Sequence, residues 1–308
     1  MKGKAISVPS ADIDNRTVIT TGKWLRIAAV QDEDMLEGET VTDPASFVQH
    51  LKETDLNAAI FTFAQKLPFT TPKYKYHLDW DNLAVIPITT FSEWWQKRIE
   101  ASVRRAIRKA AKVGVVVKVA ELDDVFISGI VAINNETAIR QGKPFWHFQK
   151  SFDAVKCENS TYAERNVFLG AYYEGELIGF IRMTYVDGFA SIVQLLTMKK
   201  HFDKRPANAL IAKAVEVCER KGVTHLQYCN YVYNDPKSSL TEFKRRNGFE
   251  RVLVPRYYIP LTAIGRLALS LGVHRGLVRC IPQPVLTQLL NFRRLWYARM
   301  VRTAEGAL

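Results

Sequence analysis

The stretch NVFLGAYYEGELIGFIRMTYVDGFASIVQLLTM, residues 166–198, decides how this chain is read. It divides into three β-rich runs, 166–173, 177–186 and 189–198, separated by Glu174-Gly175-Glu176 and Asp187-Gly188. Both breaks are short and hold residues that tolerate positive φ, so the spacing predicts two tight hairpins and an antiparallel meander. Before it, VVVKVA (115–120) reads as a strand. Residues 123–140 read as a helix with apolar positions Val125, Ile130, Ile133 and Ile139, and 147–158 as a second helix. After it come a helix over 205–221 ending at Gly222, the strand HLQYCN (225–230), a short helix over 238–247 ending at Gly248, and a strand over 249–259.

Further upstream the order is less regular. WLRIAAV (24–30), AAIFTF (58–63) and LAVIPI (83–88) read as strands, with a helix near 44–54 and a long surface loop over 65–80. Thr90 and Glu93 make a capping box for one continuous helix, on which Trp95, Ile99, Val103 and Ile107 recur every fourth residue until Gly114. Residues 1–22 read as an irregular leader. The sequence thus divides into that leader, an N-terminal half (23–114), a C-terminal α+β domain with a mixed sheet (115–262) and a tail (263–308).

Of 308 residues, 47% are hydrophobic and 24% charged, which supports packed cores and excludes a disordered or fibrous chain. Apolar runs are too short and too often broken by charge to span a bilayer, and MKGKAISVPSADIDN lacks a secretory core. Cys157, Cys218, Cys229 and Cys280 form no CxxC pair, which suits a reduced, cytoplasmic setting. The net charge of +12 is localised. Residues 97–112 hold seven cations against Glu100, and 263–308 hold seven arginines against Glu305, which together account for the whole excess. Such segments present positive surface to an anionic partner, whether RNA, an acidic membrane face or a phosphorylated donor, or else are solvated helix faces. In the tail, apolar stripes flanked by arginine, with Trp296 and Tyr297, suit a helix lying peripherally on the inner membrane face, or one packed on the enzyme body or in a homodimer.

The element order from 115 to 260 resembles that of the GNAT acyltransferase fold. RRAIRKAAKVGV (104–115), NETAIRQGKPFWHF (135–148) and LTEFKRRNGF (240–249) resemble recurring segments of the FemAB-like branch, built from two GNAT units of which the first is commonly degenerate. The resemblance implies transfer of an acyl or aminoacyl group from an activated donor to an amine acceptor, such as an amino sugar or peptide of an envelope pathway. The donor would be acyl-CoA, an acyl carrier protein or aminoacyl-tRNA. It also implies that the donor adds to a splayed strand, here Gln194–Met198, and that its phosphates meet the start of the next helix. Leu195, Thr197, Lys204, Arg205 and Asn208 would then contact the donor. The loop HFDKRPANAL (201–210) departs from the family in replacing the usual glycines, so the cradle is altered.

For chemistry, the strand end CNYVYN (229–234) offers Tyr231 or Tyr233 as general acid. Lys244 stands where related transferases keep a lysine near the reacting carbonyl, and Glu136 is a candidate proton acceptor, with an intrahelical ion pair to Arg140 as its structural alternative. Arg245 and Arg246 are candidates for phosphate. No GxxxxGK[ST], HExxH or GxSxG motif occurs, and the six histidines show no metal-ligand spacing, so no metal is expected. The rival to an enzyme is a GNAT-like module that binds RNA or anionic lipid without catalysis.

Overall fold

The computed structural model describes residues 7–140, 142–233 and 235–276. In chain order its strands are β1 (Ser10–Ile13), β2 (Arg16–Thr21), β3 (Ile27–Val30), β4 (Ile60–Ala64), β5 (His77–Pro87), β6 (Val116–Ala120), β7 (Ile139–Arg140), β8 (Lys143–Pro144), β9 (Asn166–Tyr173), β10 (Glu176–Val186), β11 (Phe189–Thr197), β12 (His225–Asn230) and β13 (Glu250–Pro260). The helices are α1 (Pro44–Lys52), α2 (Phe91–Glu93), α3 (Ala101–Lys112), α4 (Asp124–Asn135), α5 (Phe152–Ser160), α6 (Pro206–Arg220), α7 (Ser239–Arg246) and α8 (Ala263–Ser270). The contacts divide the chain into two compact units. One is drawn from Met1–Trp80, Thr137–His147 and the chain from Val254 onward, the other from Asp81–Glu136 and Phe148–Leu253.

In the first unit the strand order is β1-β2-β3-β4, with the end of β13 beside β4. The expected irregular leader is a hairpin instead: Asp14 and Asn15 both take positive φ (48° and 61°), and β1 and β2 pair from Ser10↔Ile19 to Ile13↔Arg16. Burial of Ile13 and Val18 drives this, the Asp-Asn pair supplying the turn. Asp43 caps α1 through Ala45 N (3.0 Å) and Ser46 N (3.2 Å), ahead of Pro44. Phe47, Phe61, Phe63 and Tyr257 fill the core. β5 begins at His77, so the expected surface loop is shorter than 65–80.

In the second unit the order is β5-β12-β11-β10-β9-β6, with β11 and β12 parallel and the other neighbouring strands antiparallel. The meander of 166–198 stands as read. Its turns place Glu174, Gly175, Asp187 and Gly188 at positive φ. Alternate residues of β9 feed opposite faces: Leu169 and Ala171 join α3 and α6 in one core, while Phe168 joins α4 and α5 in another. On α4 the buried stripe is Phe126, Ile127, Ile130 and Ile133, whereas Val125 is exposed. The helix also stops at Asn135, short of the 140 expected. The unit begins at Asp81, ahead of the boundary expected at 115, because β5 pairs with β12 and α3 shares a core with α6.

The single helix expected over 90–113 is broken. Thr90 does cap α2 through Glu93 N, but Trp94–Arg98 is a π turn, and Ile99 and Glu100 are extended before α3 restarts. Tertiary bonds outweigh the periodicity there: Glu100 N donates to Arg246 O (3.2 Å), and the Arg104 guanidinium collects Trp95 O (3.0 Å) and Ile99 O (2.7 Å). Of the tail, α8 and the turn Val273–Arg275 are described; residues 277–308, with Cys280, Pro282, Pro284 and the Leu286–Arg302 run, lie outside the described residues.

Candidate active site

The site is built where β11 and β12 part. They pair only at Phe189↔His225, Ala190↔Leu226 and Ser191↔Gln227, after which the register ends although both strands continue. A β-bulge lies on the same stretch. Arg182 opposes Gln194 while Met183 opposes Ile192, so Val193 is the extra residue and the strand bends there. Across the gap the Cys229 thiol donates to Ile192 O at 3.7 Å, from a residue held at φ 45°. Leu195 is half-buried on this strand and Thr197 is buried at its end.

Lys244 comes to the strand end from α7. Its residue is 0% exposed, and the ammonium donates to Tyr228 O (2.9 Å) and Asn230 O (2.6 Å). The Nζ lies 4.4 Å from the Tyr228 ring centroid and 5.0 Å from that of Tyr233. Burial pulls its pKa down to about 8, with neighbouring Cys229 opposing the fall. Ser238 caps α7 through Thr241 N, and so sets the helix that aims Lys244 at the strand. Partial burial, with Cys229 beside it, pushes the Tyr233 hydroxyl above its ordinary value, so it stays protonated. Tyr231 points elsewhere. It lines a separate 570 Å³ recess with Lys97, Arg98, Arg245 and Arg251, and burial raises its hydroxyl pKa as well.

The second part of the site is the start of α6. Arg205 is its N-cap at φ 61°, Pro206 follows at the first turn, and no side chain caps the helix. The backbone N–H groups of that turn therefore favour an anion. A 520 Å³ cavity opens there, lined by Arg205, Asn208, Arg105, Lys109 and Arg246 among others. Asn208 Nδ2 donates to Asn247 Oδ1 (3.1 Å), and buried Asn247 receives Trp94 Nε1 on its carbonyl (3.1 Å), which ties this wall to α7 and the π turn.

The expected residues therefore separate into groups. Lys244 and Tyr233 come together at the strand end; Arg205 and Asn208 come together at the cavity. Lys204 turns away, pairing with Asp203 (3.4 Å) over the Tyr173 ring. Glu136 accepts Lys199 N (2.7 Å) and Lys200 N (2.8 Å) on its two carboxylate oxygens, so it holds the β11–α6 loop. Arg105 and Lys109 carried only a charge-run signal in the sequence, and the fold brings them to the α6 start. Cys229, which the sequence marks only as one of four cysteines outside any CxxC pair, stands exposed beside Lys244.

Among the described residues one potential metal cluster occurs, His77, Asp79 and His274, whose ligand atoms all lie within 4.8 Å of one another. Arg275 takes both Asp79 oxygens, and His274 Nε2 sits 3.1 Å from Oδ2. The carboxylate already has its cation, and the cluster reads as an ion-paired anchor for the chain after α8. Sequence spacing could not show it, since nearly two hundred positions separate the partners.

Strand parting, bulge and open helix start lie along one stretch of chain, from β11 to α6. Residues 133–249 match the family model described as the acetyltransferase (GNAT) family. The whole fold is similar to that of FemX (TM-score 0.56, 10% identity, covering 78% of this chain and 83% of that one). It is equally similar to L-PGS from Bacillus licheniformis (0.56, 14%, 87% and 88%). A third match is the C-terminal DUF2156 domain of a protein from Agrobacterium fabrum, provisionally named a lysylphosphatidylglycerol synthetase (0.56, 16%, 85% and 86%). The fold is thus similar to that of FemX and of L-PGS, with the GNAT match falling within it. No curated protein matches the sequence. Among the described residues no helix is long and apolar enough to cross a membrane.

Proposed function

We propose that the chain transfers an aminoacyl group from a phosphate-bearing ester donor, aminoacyl-tRNA, to an amine acceptor. The observation that carries this reading is the uncapped start of α6 opening on a cavity with Arg105, Lys109, Arg205 and Arg246, beside the gap between β11 and β12. Donor phosphates meet the helix start and its cations, and the acyl carbonyl reaches into the gap along Leu195 and Thr197. Side chains in place of glycine on the 201–210 loop, and a fold similar to that of a protein named a lysylphosphatidylglycerol synthetase, favour an aminoacyl ester over acyl-CoA or an acyl carrier protein.

In the reaction the acceptor amine attacks the ester carbonyl, the C–N bond forms, and negative charge develops on the carbonyl oxygen. Lys244 spends two of its three N–H donors on Tyr228 O and Asn230 O, and the third meets that oxyanion once the donor displaces the tyrosine ring that covers it. As the C–O bond breaks, the Tyr233 phenol gives its proton to the leaving ribose oxygen and regains one from the ammonium of the new amide, so protons balance. Glu136 positions the loop; it does not take the proton.

The test compares thermal stabilisation and single-turnover transfer with aminoacyl-tRNA, acetyl-CoA and an acylated carrier protein. Amide formation from the charged tRNA alone is the expected result. Turnover with acetyl-CoA alone would overturn the donor assignment. Tight tRNA or lipid binding with no turnover for any donor would make the chain a binding module.

A further inference from the structure

We infer that the unit built from residues 7–80, 137–147 and 254–276 docks on an anionic lipid surface through Trp24 and the outer face of α8. The inference does not rest on the transferase reading. Trp24, in the loop between β2 and β3, is 99% exposed. Ile264, Leu267 and Leu271, at spacings of three and four, share one helical face and are 68%, 59% and 64% exposed. The opposite side of α8 is committed. A side chain at Gly265 would come within 2.0 Å of Ala59 O, and Ala268 and Leu269 pack on Ile60, with Leu25, Ile27 and Tyr258 around them. The helix is therefore pressed backbone-close onto the sheet, which fixes the direction in which its remaining apolar residues look. Trp24 and Ile264 also line one 400 Å³ recess, so the loop and the helix present a joint surface. Large apolar groups gathered in this way mark an interaction face.

Charge selects the occupant. The recess is lined by Arg26 and Lys52 and by no carboxylate, while Lys23 and Arg266 are exposed beside Trp24 and on α8. No acidic residue occurs from 251 to 304. The chain's own segment 277–304 is arginine-rich and would meet like charge on this face, and so would the same face of a second copy. An exposed indole and aliphatic side chains amid cations match instead the boundary of an anionic bilayer, where Trp lies at head-group level and the cations meet phosphates.

The test is co-sedimentation of the full chain with phosphatidylcholine vesicles, with and without phosphatidylglycerol, together with the emission difference between wild type and Trp24→Phe. Binding is expected only with phosphatidylglycerol, weakened by salt, with the Trp24 contribution shifting to the blue. Trp24→Ser and Leu267→Glu, both surface changes, should each lower partitioning about tenfold with the melting midpoint unchanged. Equal binding to neutral vesicles, or full retention in both variants, overturns the inference. Self-association abolished by Leu267→Glu reassigns the face to a second copy. A Trp24 spectrum already blue without vesicles, and red after removal of 277–308, reassigns it to the chain's own C-terminal segment.

Discussion

Two regions of the second unit, Asp81–Glu136 with Phe148–Leu253, use cations in opposite ways. At the strand end, one ammonium, Lys244, is sealed from water, held by two backbone carbonyls and roofed by tyrosine rings. At the start of α6, four cationic side chains line an open cavity. The first arrangement fixes position at the cost of charge stability, which is why burial drags the lysine toward neutrality. The second keeps its cations at the surface, Arg246 paired with Glu242 and Glu100, where they attract anions over long range. A dry, immobile charge suits a transition state; a wet cluster suits capture of a carrier.

The sharpest way to break this contrast is Lys244→Met. Loss of the ammonium should lower turnover about 100- to 1000-fold, as removal of an oxyanion donor does. It also leaves two carbonyls without their donor, which should cost about 2–3 kcal/mol in urea unfolding. Next in size, the double substitution Arg105→Ala/Arg205→Ala should weaken donor binding about 10- to 100-fold in low salt and flatten its salt dependence, with unfolding free energy within about 0.5 kcal/mol of wild type. Equal stability losses at the two places would erase the distinction drawn here.

Acidity gives a finer test. The folded pKa of Lys244, about 8, lies below its ordinary 10.5, so between these values the unfolded chain holds more protons. The contribution of Lys244 to stability therefore rises as pH climbs from 8 to 10.5, and Lys244→Met should lose that rise in pH-dependent unfolding. Turnover that needs the ammonium should instead fall above pH 8; a gain there would make Lys244 a base. The smallest effect belongs to Glu136→Gln. One of the two backbone N–H groups at Lys199 and Lys200 keeps an acceptor oxygen, so the loss should be about 1 kcal/mol, with donor KM rising more than kcat falls.

The meander, α6, β12 and α7 could be read directly because hairpin turns and glycine helix ends are local signals. The break at Ile99–Glu100 could not, because it depends on Arg246 O, a partner remote in sequence. The site divides along the same line. Lys244 stands out in the sequence through the family-like segment LTEFKRRNGF, and Arg205 through its place at the start of a helix. Lys204 and Arg205 read alike in the sequence, but the αL residue at the helix start sends their side chains apart. Glu136 was read for its charge, whereas its two oxygens serve backbone donors that no sequence pattern announces.

The bulge at Val193 has its own consequence. Side chains alternate along a strand, so one additional residue inverts the assignment of all that follow it. The inner or outer facing of Leu195 and Thr197 is thus inherited from a count rather than from their identity. Deleting Val193 would leave the hairpin's composition almost intact and yet turn the cleft wall inside out. Length at this point, more than residue type, is what any descendant of this sequence must preserve.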